Sequence, residues 1–219
     1  MSTQLHTKKA TIARLHCLTQ DGVLGFGHAD LAEMACKGGA NWIQLRYKGG
    51  SELRWESIAR DVQKVTKQYK ALLIINDNVS LAHKIQADGV HLGKEDMDPL
   101  AARAILGPDF IIGGTANNEA DILNLCQSGV DYIGLGPFRF TTTKKNLATV
   151  LSLSEIKRLV TLQNQVHVIL IGGITVNDVP AISETGAFGC AVSSAINMSA
   201  SPAEMTKTFV SEIHRYFIS

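Results

Sequence analysis

Asp77 and Asp96 each lie just beyond a short apolar run, the first after Leu72-Leu73-Ile74-Ile75-Asn76 and the second after Val90-His91-Leu92-Gly93. If those runs are adjacent strands, the two carboxylates reach neighbouring loops. At about 4 Å such a pair repels by about 1 kcal/mol in water and about 4 kcal/mol at an effective dielectric of 20, so it needs a proton or a cation. Mg2+ suits that need, because it takes few carboxylates and fills its shell with water and phosphate oxygens. Taken singly, each aspartate reads equally well as a helix N-cap.

A second cluster is cationic. Gln44-Leu45-Arg46-Tyr47-Lys48 ends another apolar run, and the period of two puts Gln44, Arg46 and Lys48 on one side. Cations facing an apolar lumen are costly unless paired, so this side implies an anionic ligand. Further along, Gly136 to Lys145 forms a long loop with three threonines and two lysines, a composition that binds phosphate and can close over substrate. Gly172-Gly173 after one late run and Ser193-Ser194 after the next offer backbone N-H groups and a helix N-terminus to a second phosphate.

These groups need a scaffold that delivers strand ends to one place. Eight apolar runs alternate with segments of helical period: 12–18, 42–46, 71–76, 89–92, 110–115, 132–135, 166–171 and 188–192. A doubly wound sheet has the same alternation, but polar residues at five or more separate strand ends favour the mouth of a single-domain α/β (β/α)8 TIM barrel spanning 1–219. Helix starts are marked by Ser201-Pro202-Ala203-Glu204, by Asp98-Pro99 and by Ser152 with Glu155, and Gly107 reads as a left-handed helix stop. Leu53, Trp55, Ile58, Ala59, Val62, Val65 and Tyr69 form one apolar helical face.

Composition narrows the partners. With 21 basic and 20 acidic residues in 219, the net charge of +1 gives no field for nucleic acid or an anionic membrane, so anions must be held locally by small-molecule sites. Cys17, Cys36, Cys126 and Cys190 form no CxxC pair and read as core residues of a reducing compartment. The first residues lack a secretory apolar stretch and no run reaches about 20 apolar residues, so a soluble, cytoplasmic protein is expected. Whether it forms a homo-oligomer is left open.

The ordered segments QLRYK, LIINDN, ADGVHLGKED, IIGGTA, DYIGLGPFRFTTTKK and VILIGGI with SSAI, spread from about Arg14 to Ile196, resemble the thiamine phosphate synthase family. The resemblance implies a (β/α)8 barrel that condenses a hydroxymethylpyrimidine diphosphate with a thiazole phosphate, releasing diphosphate, with Mg2+. It implies that Gln44, Arg46, Lys48, Asn76, Thr115 and Lys144 hold the pyrimidine diphosphate, with Arg46, Lys48 and Lys144 stabilising its departure. Asp77 and Asp96 would bind Mg2+, and Thr141, Thr143, Gly173, Ser193 and Ser194 would hold the thiazole phosphate. Three positions depart from the family's pattern: Thr115 for the usual serine, Phe138-Arg139-Phe140 for a stretch ending in proline, and Ser193 for an aliphatic residue.

The implied reaction is a dissociative substitution at the pyrimidine methylene carbon, with a thiazole nitrogen whose lone pair is already free. It demands no general base, and His83 and His91 read as structural. The rivals are a thiazole tautomerase, which has no use for the diphosphate-metal half, a catalytically silent ligand-binding barrel, and an unrelated sugar-phosphate isomerase.

Overall fold

Residues 12–140, 148–163 and 165–217 are described by a computed structural model. Eight parallel strands close in sequence order: β1 (Leu15–Leu18), β2 (Trp42–Leu45), β3 (Leu72–Asn76), β4 (Gly89–Leu92), β5 (Ile111–Ala116), β6 (Tyr132–Leu135), β7 (His167–Leu170) and β8 (Gly189–Val192). Closure is direct, since β1 pairs with both β2 and β8. The helices are α1 (His28–Lys37), α2 (Glu52–Tyr69), α3 (Val79–Ile85), α4 (Pro99–Leu106), α5 (Glu119–Gln127), α6 (Leu153–Thr161), α7 (Val179–Ser183), α8 (Ser194–Asn197) and α9 (Pro202–Tyr216). The chain is therefore the (β/α)8 barrel its alternation predicts.

Strands buried on both faces lose the polar alternation of an open sheet, which is why these runs read as continuous apolar stretches. One set of side chains packs outward against the helices, as do Ile43, Leu45, Leu73, Ile75 and Val90. The other fills the lumen with Trp42, Ile74, Ile111, Tyr132, Ile169 and Ala191. Tyr132 fits only because β5 carries Gly113 opposite it: a Cβ there would lie 2.1 Å from the phenol ring. His16 stacks on Trp42 at 3.7 Å with nearly parallel rings. Together they close the floor beneath the mouth.

The local signals hold unevenly. Asp98 accepts hydrogen bonds from the N-H groups of Leu100 and Ala101, with Pro99 following, and Ser152 accepts from Glu155 N-H. Ser201 precedes α9 and Pro202 sits in its first turn, but its hydroxyl makes no capping bond. Gly107 has φ +82° with ψ 179°, so it turns the chain into an extended rather than a left-handed helical conformation. The first run starts as strand only at Leu15; before it, Arg14 donates to the Phe188 carbonyl and lies over the rings of Phe188 and Phe217. On α2 the inner face is as expected except Leu53, in the first turn, which is 80% exposed.

Candidate active site

The C-terminal ends of β2, β3 and β4 border a cavity of about 680 Å³, within the usual range for small-molecule sites. Gln44, Arg46, Lys48, Asn76, Asp77, Asp96 and Thr115 all line it, as do His16, His91 and Tyr132. Seven residues predicted from separated segments are thus brought together. A smaller cavity of about 130 Å³ lies over the ends of β7 and β8, lined by Gly172, Gly173, Ser193 and Ser194. The two share Leu18, Thr115, Asn117, Ile171 and Ala191, so Thr115 stands at their seam. The remaining predicted residues, Thr141, Thr143 and Lys144, lie outside the described residues.

The carboxylates are presented by tight local geometry. Asp77 has φ +63°, a left-handed conformation that Asp and Asn tolerate better than most side chains. Its N-H donates to the His91 carbonyl at 2.8 Å, which ties the β3 loop to β4. Asp96 folds back so that Oδ2 accepts from Gly93 N-H at 2.6 Å. Burial, and then a hydrogen bond with Asp77, push the Asp96 carboxyl above the usual range, while Gly93 N-H and Lys48 oppose the shift. A carboxyl pair near enough to share a proton is near enough to share a cation. Among the described residues no third His, Cys, Asp or Glu completes a metal-binding group. Such a donor set fits a hard cation that keeps several waters or ligand oxygens.

The cations face this pair. Lys48 Nζ makes an ion pair with Asp77 Oδ2, and Arg46 is drawn below the usual guanidinium range by burial, against the opposing pull of Asp77 and Asp21. Their segment is held from behind by a network that the sequence does not reveal. Thr19 Oγ1 accepts from Arg46 N-H at 3.3 Å, and Asp21 Oδ2 accepts from Lys48 N-H at 3.1 Å. His28 joins the two, with Nδ1 at 2.7 Å from Thr19 Oγ1 and Nε2 at 3.1 Å from Asp21 Oδ1. Partners so far apart in sequence, in loops of unremarkable composition, give no readable signal. Deeper in, Asn76 Nδ2 and His16 Nε2 are buried without a partner among the described residues. Unsatisfied polar atoms at a cavity wall suit a polar ligand.

The β7 and β8 side works through backbone. Gly172 and Gly173 have φ +96° and +65°, and Phe138 N-H and Arg139 N-H donate to the Ile171 and Gly172 carbonyls at 2.8 and 3.0 Å. Arg139 is further pinned by an ion pair with the buried Asp178. Ser193 precedes α8, but its hydroxyl donates to Gln20 Oε1 at 2.9 Å and accepts from Asn197 Nδ2 at 3.3 Å. With that hydroxyl engaged, the backbone N-H groups opening α8 and Ser194 beside them face the smaller cavity as donors for an anion. His83 is exposed on α3. His91, expected to be structural, is buried on the cavity wall with its ring nitrogens 3.0 Å from Tyr132 Oη and from Thr115 Oγ1. Cys17, Cys36 and Cys190 are buried, and burial with Asp178 nearby pushes the Cys190 thiol up to about 12, which removes it as a nucleophile at neutral pH.

A family model described as thiamine monophosphate synthase matches residues 15–196. A thiamine-phosphate synthase of Bacteroides fragilis is 46% identical over 186 residues, covering 83% of this chain and 91% of that protein. One from Clostridium novyi is 40% identical over 184 residues, covering 84% and 90%. Among solved structures, the thiamine phosphate pyrophosphorylase of Pyrococcus furiosus superposes with a TM-score of 0.84 at 28% identity, covering 93% of this chain and 96% of that one. A match of this extent in sequence, together with the barrel and its paired cavities, means that the chain belongs to the thiamine monophosphate synthase family.

Proposed function

We propose that this barrel condenses 4-amino-2-methyl-5-hydroxymethylpyrimidine diphosphate with thiazole phosphate, giving thiamine phosphate and diphosphate, by an Mg2+-dependent dissociative substitution. The observation that carries the reading is the pair of joined cavities, one lined by Arg46, Lys48, Asp77 and Asp96 and the other by glycines and a helix start. One substrate anion fits each.

In this mechanism the bond from the pyrimidine methylene carbon to the diphosphate oxygen breaks with its electron pair leaving on oxygen. The thiazole nitrogen then donates its lone pair to the same carbon, so no proton need move. Arg46 and Lys48, with Lys144 from the loop, hold the diphosphate and stabilise the charge it gains. Gln44 and Asn76 orient the pyrimidine side, Asn76 through its unpartnered amide. Gly173, Ser193 and Ser194, joined by Thr141 and Thr143, hold the thiazole phosphate and keep the nitrogen within reach. Mg2+ on Asp77 and Asp96 would neutralise the diphosphate and favour its departure. Burial holds the His16 imidazole well below its ordinary range, so it adds no positive charge beside the developing cation. Reduced, mostly buried cysteines suit a cytoplasmic setting.

The test is a coupled assay with both substrates and Mg2+, reading thiamine phosphate after oxidation to fluorescent thiochrome. Mg2+-dependent product is expected. Folded protein that binds thiazole phosphate and makes no product would point instead to a tautomerase or a silent barrel.

A further inference from the structure

Three side chains from consecutive strands form a continuous hydrogen-bonded line under the seam of the two cavities. The Tyr132 hydroxyl lies 3.0 Å from His91 Nδ1, and His91 Nε2 lies 3.0 Å from Thr115 Oγ1. All three are buried, at 1%, 8% and 9% exposure. The rings of His91 and Tyr132 are 5.4 Å apart and only 29° from parallel. Nothing in the reaction described above uses Tyr132 or His91.

The direction of the line follows from counting protons. Burial, with Asp131 adding to it, holds the Tyr132 phenol well above its ordinary value of 10, so it keeps its proton throughout the neutral range. That proton has an acceptor in His91 Nδ1. If Nδ1 carried the hydrogen instead, the phenol would have to leave its own donor unused among Trp42, His16 and the lumen aliphatics. An unused donor is costlier than the unused oxygen lone pair of the opposite arrangement. In the neutral ring Nδ1 therefore accepts, and Nε2 carries the hydrogen and donates to Thr115 Oγ1. Having accepted from His91, the Thr115 hydroxyl keeps its own proton for another acceptor, and Thr115 lines both cavities.

We propose that Tyr132 and His91 are positioning residues that fix the Thr115 hydroxyl as a donor to an oxygen of the leaving diphosphate. The identity of that acceptor rests on the function proposed above; the polarity of the line does not. A donor aimed at the seam gains strength as negative charge collects on the oxygen, so it acts on kcat more than on KM. It also selects against ligand groups that present a hydrogen at that point. The methyl of Thr115 restricts the hydroxyl rotamer, which a serine would leave freer.

The test begins on unaltered full-length protein labelled with 15N-histidine, using long-range proton-nitrogen correlation spectra with His91→Gln to assign the ring. His91 is expected as the Nε2-H tautomer, and Tyr132→Phe is expected to move it to a mixture. In the coupled assay Tyr132→Phe should lower kcat about 10-fold and Thr115→Val about 100-fold, with KM for both substrates within about twofold. In the Thr115→Val background Tyr132→Phe should have no further effect on kcat, and Thr115→Ser should restore most of the activity. A hydrogen on Nδ1 in the unaltered protein would overturn the proposal, and so would multiplicative losses in the double variant. If the unaltered protein made no thiamine phosphate, the assigned reaction would fall, while the nitrogen shifts would still decide the polarity of the line.

Discussion

The β2 to β4 side of the mouth and the β7 to β8 side meet at Thr115, yet they are built on opposite principles. On the first side recognition is carried by the ends of side chains, with Arg46, Lys48, Asp77 and Asp96 converging on one cavity. On the second it is carried by main chain, with Gly172 and Gly173 at positive φ and the start of α8 facing the smaller cavity. A site made of side-chain charge is broken by removing atoms. A site made of exposed backbone is broken by adding them, because a Cβ on Gly173 would come within 2.7 Å of the Phe140 carbonyl and 2.9 Å of Arg139 Cβ.

The largest expected effect comes from deleting charge on the first side. Asp77→Ala, and Asp77→Asn as the variant that keeps the left-handed backbone, should each lower kcat about 1,000-fold at ordinary Mg2+, measured in the thiochrome assay. Full activity in Asp77→Asn would remove the metal role from this residue. Next, Lys48→Ala should raise KM for the pyrimidine diphosphate or lower kcat by about 100-fold in total, with KM for thiazole phosphate unchanged. Selective loss of the thiazole substrate would reverse the assignment of the two sides.

Adding one carbon on the opposite side should do less, and to the other substrate. Gly173→Ala forces a left-handed alanine at a cost of about 1 to 2 kcal/mol and presses its Cβ on the Phe140 carbonyl, so KM for thiazole phosphate should rise by about 10-fold or more. The pyrimidine diphosphate KM should stay put, and equal changes in both would mean the two cavities are not separate recognition units. Smallest of all is Ser193→Ala. Its hydroxyl is engaged by Gln20 and Asn197, so thiazole phosphate KM should move less than about threefold, while the midpoint of thermal unfolding drops by an amount matching about 1 kcal/mol. A large KM change with no loss of stability would mean that the hydroxyl turns to the phosphate.

The two sides also differ in how readable they were. Strand-end charges announce themselves, because Arg46, Lys48, Asp77 and Asp96 stand against apolar runs whose period fixes their side of the strand. Glycine pairs announce a backbone that departs from the usual conformations, though not what it faces. The supporting shell was silent. Thr19, Asp21 and His28 are ordinary loop and helix residues until the fold brings them behind Arg46 and Lys48. His91, inside an apolar strand, reads as structural, and nothing in the sequence pairs it with Thr115 or Tyr132 until the barrel closes. Leu53 misled in the other direction, since helical period marks a face without saying where along the helix the core stops.

The left-handed backbone at Asp77 has a consequence for descent as well as for catalysis. Asparagine and glycine accept that conformation, and each is one nucleotide away from aspartate. Lineages of this barrel can thus lose the carboxylate without straining the backbone, and a duplicated copy released from selection for synthesis would persist as a folded protein. Descendants with a silent mouth should then carry asparagine or glycine at this position more often than alanine or a β-branched residue, leaving the former chemistry written in the backbone after the charge is gone.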